Sequence, residues 1–259
     1  MHPLVDTHVH LDYAAFADDR VAVIERAAAA GVHAMIVPAV DLRSWPTIRR
    51  LCTEQRALFP AFGLHPMYLA RHAPEHVQAL SSWLDAGPAV GIGEIGLDFH
   101  VTGLDPRLQR DYFLRQLRLA RERQLPVIVH ARGALEEVIL TLRRIGGLHG
   151  VVHSFSGSEQ QARQLWQLGF HLGIGGSVTY ERAQRLRRIV TQMPIDYLLL
   201  ESDAPDQPDA EHRGQRNEPA CVANVLNCVA ALRGESAAAI AAATSANARR
   251  LFGLPSPPG

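Results

Sequence analysis

The chain has 259 residues, 47% hydrophobic and 20% charged, with a formal net charge of +0. That composition supplies a full core and argues against disorder. It also excludes a global field that would draw the chain to a polyanion or a membrane, so any anion site has to be local.

Apolar β-type runs alternate with amphipathic helical stretches along the whole length. Strands are expected at 4–10, 33–40, 60–66, 89–96, 126–131, 150–155, 170–176 and 196–203. Helices are expected between them at 19–30, 44–57, 74–86, 107–123, 134–145, 158–168, 180–191 and 218–232. "ESAAAIAAATSANARRLFG" reads as a closing helix and "LPSPPG" as a frayed tail. With no linker or composition shift, the expectation is one domain over 1–254 and a flexible tail over 255–259. Near-continuous apolar strands, covered on both faces, pair in parallel. Eight strand–helix units close most naturally into a (β/α)8 TIM barrel, an α/β fold; a doubly wound open sheet is the competing arrangement.

No apolar run reaches the ~18 residues of a membrane helix, and "MHPLVDTHVH" lacks the regions of a signal peptide. Cys52, Cys221 and Cys228 form no CxxC and no even framework, which reads as reduced thiols in a cytoplasmic chain. All 26 basic residues are arginine. The absence of lysine excludes Schiff-base catalysis, and with it a carbamylated lysine between two metals.

A barrel of this kind carries its active site at the C-terminal ends of the strands. In "VDTHVHLD", His8 and His10 stand two apart, on one face of an extended segment. The other strand ends carry His65, Glu94, His130, His153, then Glu201 and Asp203. The remaining histidines fall elsewhere: His33, His149 and His171 on the opposite rim, His72, His76 and His212 in helix or loop, and His2 before the first strand. His100, after "GLDF", is left undecided between substrate and solvent. Imidazoles and acids buried together are costly without compensation, and divalent cations compensate them. Four of these histidines and two of the carboxylates suit two ions ~3.5–4 Å apart, with Glu94 the natural bridge. Zn, Mn, Co and Mg are all compatible with mixed N/O ligation.

With these residues the chain resembles the TatD family of metal-dependent deoxyribonucleases, among the amidohydrolase-like barrels. The resemblance rests on "DTHVHLD" (6–12), "GLHP" (63–66), "GEIGLDF" (93–99), "VHAR" (129–132), "HSFSG" (153–157), "ESDAP" (201–205) and "RNEP" (216–219). It implies that His8, His10, Glu94 and Asp203 bind one metal, and Glu94, His130 and His153 a second. It implies hydrolysis of a phosphodiester by water that gives its proton to Asp203, with DNA or oligonucleotide ends as substrate. Arg132 would grip a phosphate bidentately. His65 is a second phosphate donor or holds the loop before Pro66, and Glu201 would orient a ligand histidine. Asn217 and Glu218 are expected to cap the last barrel helix rather than position substrate. Ser154 stands where many members have cysteine, Ser202 where threonine is usual, and Asp206 where many have tyrosine, so the loop after the eighth strand departs most. A hydrolase of a small phosphoester, amide or lactone on the same fold is the alternative, and a non-catalytic metal-binding protein a further one. No membrane and no obligate protein partner are expected.

Overall fold

The computed structural model describes residues 3–255; His2 and residues 256–259 of the expected tail lie outside the described residues. In chain order the elements are β1 (Leu4–Asp6), α1 (Arg20–Ala29), β2 (Val32–Pro38), α2 (Trp45–Glu54), β3 (Leu58–Phe62), α3 (His76–Asp85), β4 (Gly91–Asp98), α4 (Pro106–Arg123) and β5 (Val127–Arg132). They continue as α5 (Leu135–Ile145), β6 (Gly150–Val152), α6 (Glu159–Gln167), β7 (Phe170–Ile174), α7 (Gln184–Gln192), β8 (Leu198–Leu200), α8 (Val222–Arg233) and α9 (Ala237–Phe252). The strands form one 8-stranded sheet in sequential order, with every neighbouring pair parallel. Sequential order sets aside the doubly wound sheet, which reverses direction at a switch point. The TIM barrel is the fold.

Three strands are shorter than their apolar runs: β1, β6 and β8 keep three residues each. Beyond β1 and β8 the backbone leaves the regular ladder and closes the barrel with individual bonds. The Thr7 N–H and hydroxyl both donate to the Leu200 carbonyl, at 3.1 and 3.0 Å. Asp203 N–H donates to the His8 carbonyl at 2.9 Å and His10 N–H to the Ala204 carbonyl at 2.8 Å. Asp6, fully buried, takes three donors across this seam: Ser202 N–H at 2.9 Å, Ser202 Oγ–H at 2.6 Å and His8 N–H at 3.1 Å. Burial still pushes its carboxyl up to about 7. The expected helix at 180–191 begins only at Gln184, and the run from 218 breaks into a Pro219–Cys221 turn ahead of α8.

Two apolar layers hold the barrel. Leu4, Met35, Val37, Phe62, Val127, Leu172 and Leu198 face the helical ring, which supplies Trp45, Ile48, Phe113, Leu117 and Ile139. Val5, Ile36, Ala61, Ile128, Val151 and Leu199 fill the interior and pack on Ala248, Leu251 and Phe252 of α9. Thus α9 plugs the N-terminal end of the barrel. Its Asn247 donates to the carbonyls of Ile195 and Leu198, and its Ser245 to that of Pro3. The helix starts on a Ser236 cap bonded to Ala239 N–H and stops at Gly253, whose φ of 61° is left-handed. The C-terminal end stays open. No single helix among the described residues is long and apolar enough to cross a membrane.

Asp6→Ala leaves the Ser202 and His8 N–H groups buried without an acceptor. At ~1–3 kcal/mol for each such loss, stability falls by about 3 kcal/mol with an unchanged denaturant slope. Urea titration followed by tryptophan fluorescence measures this; a loss below ~0.5 kcal/mol contradicts the closing role.

Candidate metal centre

The interior layer decides which side chains meet at the open end. Side chains alternate along a strand, so Ile128 is followed on the inside by His130, then Arg132. By the same count Val151 leads to His153, Leu199 to Glu201 and Asp203, and Ala61 to His65. Two strands need a one-residue correction to join this set. In β4 the register slips between Ile92 and Ile95, a bulge that turns Glu94 inward. After β1 the chain bends at Thr7, so that His8 and His10 follow Val5 on the inside while Val9 stays in the outer layer.

Glu94, 2% exposed, sits at the centre of the result. Its Oε2 lies 3.3 Å from His8 Nε2 and 3.6 Å from His10 Nε2. Its Oε1 lies 2.7 Å from His153 Nε2, 3.1 Å from His130 Nδ1 and 2.9 Å from His65 Nε2. On the Oε2 side Asp203 Oδ1 completes a group, 3.6 Å from His8 Nε2 and 3.8 Å from His10 Nε2, with the two imidazole nitrogens 3.2 Å apart. Ligands ~2.0–2.2 Å from a tetrahedral ion stand ~3.3–3.6 Å from one another, and each carboxylate oxygen lies close to that range from both imidazole nitrogens. On the Oε1 side His130 Nδ1 and His153 Nε2 are 3.4 Å apart.

Hydrogen-bond partners sort the imidazoles into roles. His130 Nε2 donates to Asp98 Oδ2 at 2.9 Å, which leaves the Nδ1 lone pair aimed at Glu94. Asp98 is itself held by the N–H groups of His100 and Val101. His65 differs. Its Nδ1 accepts from Met67 N–H at 3.1 Å, so its proton is on Nε2, which donates to Glu94. His65 therefore holds the loop before Pro66 and spends its one N–H on Glu94. Glu201 Oε1 accepts from Ser154 N–H at 2.5 Å and lies 3.9 Å from His153 Nδ1, too far for the expected orienting hydrogen bond. It fits only because residue 173 is glycine: a Cβ there would meet Glu201 Oε2 at 2.1 Å. Asp203 and Ser154 adopt left-handed backbone, φ 56° and 47°, a strain of the kind stored at functional sites.

Protonation shows what the cluster lacks. Burial holds His8 well below its ordinary value and brings His10 to about 4, so both are neutral and able to ligate. Burial also opposes charge on His153, but Glu94, with Asp203 and Glu201 behind it, raises this imidazole to about 10. Burial lifts Asp203 to about 6 and Glu201 to about 8. A buried acid cluster thus keeps a proton on His153 where a cation would serve. Meanwhile His8 Nδ1, His10 Nδ1, His153 Nδ1 and Glu201 Oε2 are buried with no partner among the described residues. The donor set, its spacing and its charge deficit fit divalent ions.

The eight rim residues expected from sequence converge, and Arg132 stands exposed at the edge of the same mouth of about 600 Å³. His100 is exposed in the loop after β4. The expected capping by Asn217 and Glu218 is not found. Asn217 instead donates to the carbonyls of Ser202 and Asp206, at 2.7 and 2.8 Å, tying down the loop that carries Asp203. Glu218 accepts from Arg26 and Arg216, and makes no cap bond. Their side chains are drawn away by stronger partners across the seam. Sequence reading missed Asp98, four residues after Glu94 on the bulged strand, and Gln207, which donates to Asp203. It also missed Tyr13, stacked on His10 at 4.7 Å, and Tyr68, whose hydroxyl is 3.3 Å from that of Tyr13. Asp98 was within reach, since the inward count continues from Glu94 through Gly96 to Asp98. A separate group, Asp209, His212 and Cys221, is satisfied internally: Asp209 accepts from His212 Nδ1, two backbone N–H groups and Asn224.

The profile of TatD-related DNases matches residues 5–253. The chain belongs to the TatD-related DNase family. It is 41% identical over 256 residues to the metal-dependent hydrolase YjjV of Escherichia coli K12, covering 97% of this chain and 98% of the relative. The crystal structure of that TatD homologue superposes with a TM-score of 0.94, at 38% identity and 97% and 98% coverage. A 3'-5' ssDNA/RNA exonuclease, TatD of Klebsiella pneumoniae, is 34% identical over 260 residues, covering 97% of this chain and 98% of its own.

Two outcomes follow from the geometry. Asp98→Ala frees the His130 ring and weakens metal binding ~10–100-fold, read by chelator competition; unchanged affinity contradicts the orienting role. Because an incoming ion displaces protons from groups raised to about 6, 8 and 10, apparent affinity climbs with pH across that window and falls as the site is acidified. A pH-independent affinity contradicts this.

Proposed function

We propose that the pocket hydrolyses phosphodiester bonds at the ends of single-stranded DNA or short oligonucleotides, with two divalent ions held by one shared carboxylate. The observation that carries this is the division of Glu94, one oxygen facing His8 and His10 and the other facing His130 and His153. His8, His10, Glu94 and Asp203 would hold the first ion, and Glu94, His130 and His153 the second; Zn, Mn, Co or Mg suits the donors. Bound there, such a pair supplies water of lowered pKa and stabilises charge developing on phosphoryl oxygens.

The protein's own groups do the rest. Asp203, raised by burial to about 6, is ionised at neutral pH yet basic enough to take a proton from the attacking water on its carboxylate. His65 lines the mouth, and its Nε2–H, now on Glu94, would pass to a nonbridging phosphate oxygen once Glu94 holds the ions. Arg132, exposed at the rim, pairs with the same or the next phosphate through two N–H groups. Tyr13, Met67 and Tyr68 line the wall beside His10, a flat apolar surface for a terminal base. The near-neutral net charge and a mouth of this size favour a strand end over a long duplex. The three free thiols suit the cytoplasm. We treat residues 1–254 as one catalytic domain.

Protein purified without chelator and analysed by mass spectrometry carries two equivalents of metal, and it trims end-labelled single-stranded DNA. Glu94→Ala loses both metal and cleavage, by on the order of 10³-fold or more; full activity in this variant removes the shared-carboxylate assignment. Arg132→Ala lowers kcat/KM on oligonucleotides ~10–100-fold, the worth of one charge-assisted phosphate contact, and spares uncharged esters. Equal loss on both substrate classes favours a hydrolase of small esters or lactones instead.

A further inference from the structure

Three depressions on the open end run into one another. The mouth over Glu94 shares Ala131 and Ser156 with a second groove, which Phe99 also lines. That groove shares Ser158 and Arg185 with a third, between α6 and α7, where Arg163 lies. We propose that this continuous channel carries the trailing backbone of a single-stranded nucleic acid away from the scissile bond. Arg132, Arg185 and Arg163 are its successive phosphate contacts and Phe99 is a stacking platform. The proposal rests on the phosphodiester reading and extends it from one bond to several nucleotides.

Charge along the channel favours this occupant. Among the described residues Arg132, Arg163 and Arg185 have no carboxylate partner, and all three are exposed. The acids nearby are engaged: Glu137 accepts from Arg110 at 2.9 Å, Glu159 pairs with Arg188 at 3.5 Å, and Glu136 accepts from Gln161 at 3.3 Å. Of these acids only Glu136 keeps an uncompensated charge, so three arginines stand against one carboxylate along the track, and a polyanion that reaches the mouth is drawn along it. Arg185 is also positioned. Its Nη2 donates to the Ser156 carbonyl at 3.0 Å, which holds the guanidinium where the grooves meet. Half-buried Phe99 is braced by Arg110, whose guanidinium lies 5.1 Å over its ring. A basic groove with aromatic steps is how single strands are held without sequence preference. The other exit, past Ser177 and Gln207 toward Tyr180, carries Arg182 alone.

The test compares wild type, Arg163→Ala/Arg185→Ala, Arg182→Ala and Glu136→Arg on two substrates. One is an oligothymidylate of about a dozen nucleotides, within the span of single-strand sites; the other is a chromogenic phosphodiester that reaches only the mouth. In the double variant the salt slope of oligothymidylate binding falls by about 1.4, from ~0.7 per arginine. Its kcat/KM on the oligomer falls roughly tenfold through KM, while turnover of the small diester is kept. Glu136→Arg steepens the slope by ~0.7 and tightens binding, a gain that misfolding cannot produce. The channel is overturned if wild type trims the oligomer and the double variant matches it, or if only Arg182→Ala weakens binding. Equal loss on both substrates overturns it as well. If wild type cleaves the small diester but neither binds nor trims the oligomer, the nucleic-acid reading itself falls and the channel with it.

Discussion

One buried carboxylate organises the open end of this barrel. Glu94 is surrounded by five imidazoles and divides its oxygens between them, with His8 and His10 on one side and His65, His130 and His153 on the other. An acid so deeply buried is tolerated only beside positive charge. The cluster supplies this with protons when no cation is present, which is why His153 is held up to about 10. Binding of ions and binding of protons are thus two solutions to one electrostatic deficit. The rest of the site follows from keeping Glu94 inward: the bulge that turns it, the bend after β1 that brings two histidines to it, and the Asp98 carboxylate that rotates His130 toward it.

The barrel underneath is built to leave that end free. Its interior is filled by small and branched side chains, and the opposite opening is stoppered by the C-terminal half of α9. Closure between first and last strands uses few ladder bonds and relies on side chains: Asp6 on Ser202, and Thr7 on Leu200. This seam lies directly beneath His8 and Asp203. The residues that close the fold and those that complete one candidate metal group are therefore neighbours, and strain at Asp203 is borne by the bonds from Asn217 and Asp6 around it.

Much of this was legible in the chain itself. Eight apolar runs with helices between them, and imidazoles and acids at the C-terminal ends of six of those runs, were enough to assemble the ring from His8 to Asp203. Strand ends were harder. β1 and β8 stop after three residues because the next backbone groups find partners across the seam rather than along a ladder, and no local propensity records that. Asn217 and Glu218 carry residue types that suit a helix start, yet carbonyls of a distant loop and two arginines claim them. Asp98 follows Glu94 on the same inward face, two steps beyond the bulge, and was legible by that count. The tautomer of His65 depends on one N–H of Met67, a contact that only the folded loop creates.

Placing His8 near one terminus and Asp203 near the other, with Asn217 clamping the last loop, has a bearing on when the chain acquires chemistry. During synthesis the early histidines emerge long before the acid that joins them. A growing polypeptide therefore lacks a complete set of donors until the eighth strand has docked against the first. Hydrolytic competence arrives late, as an all-or-none event.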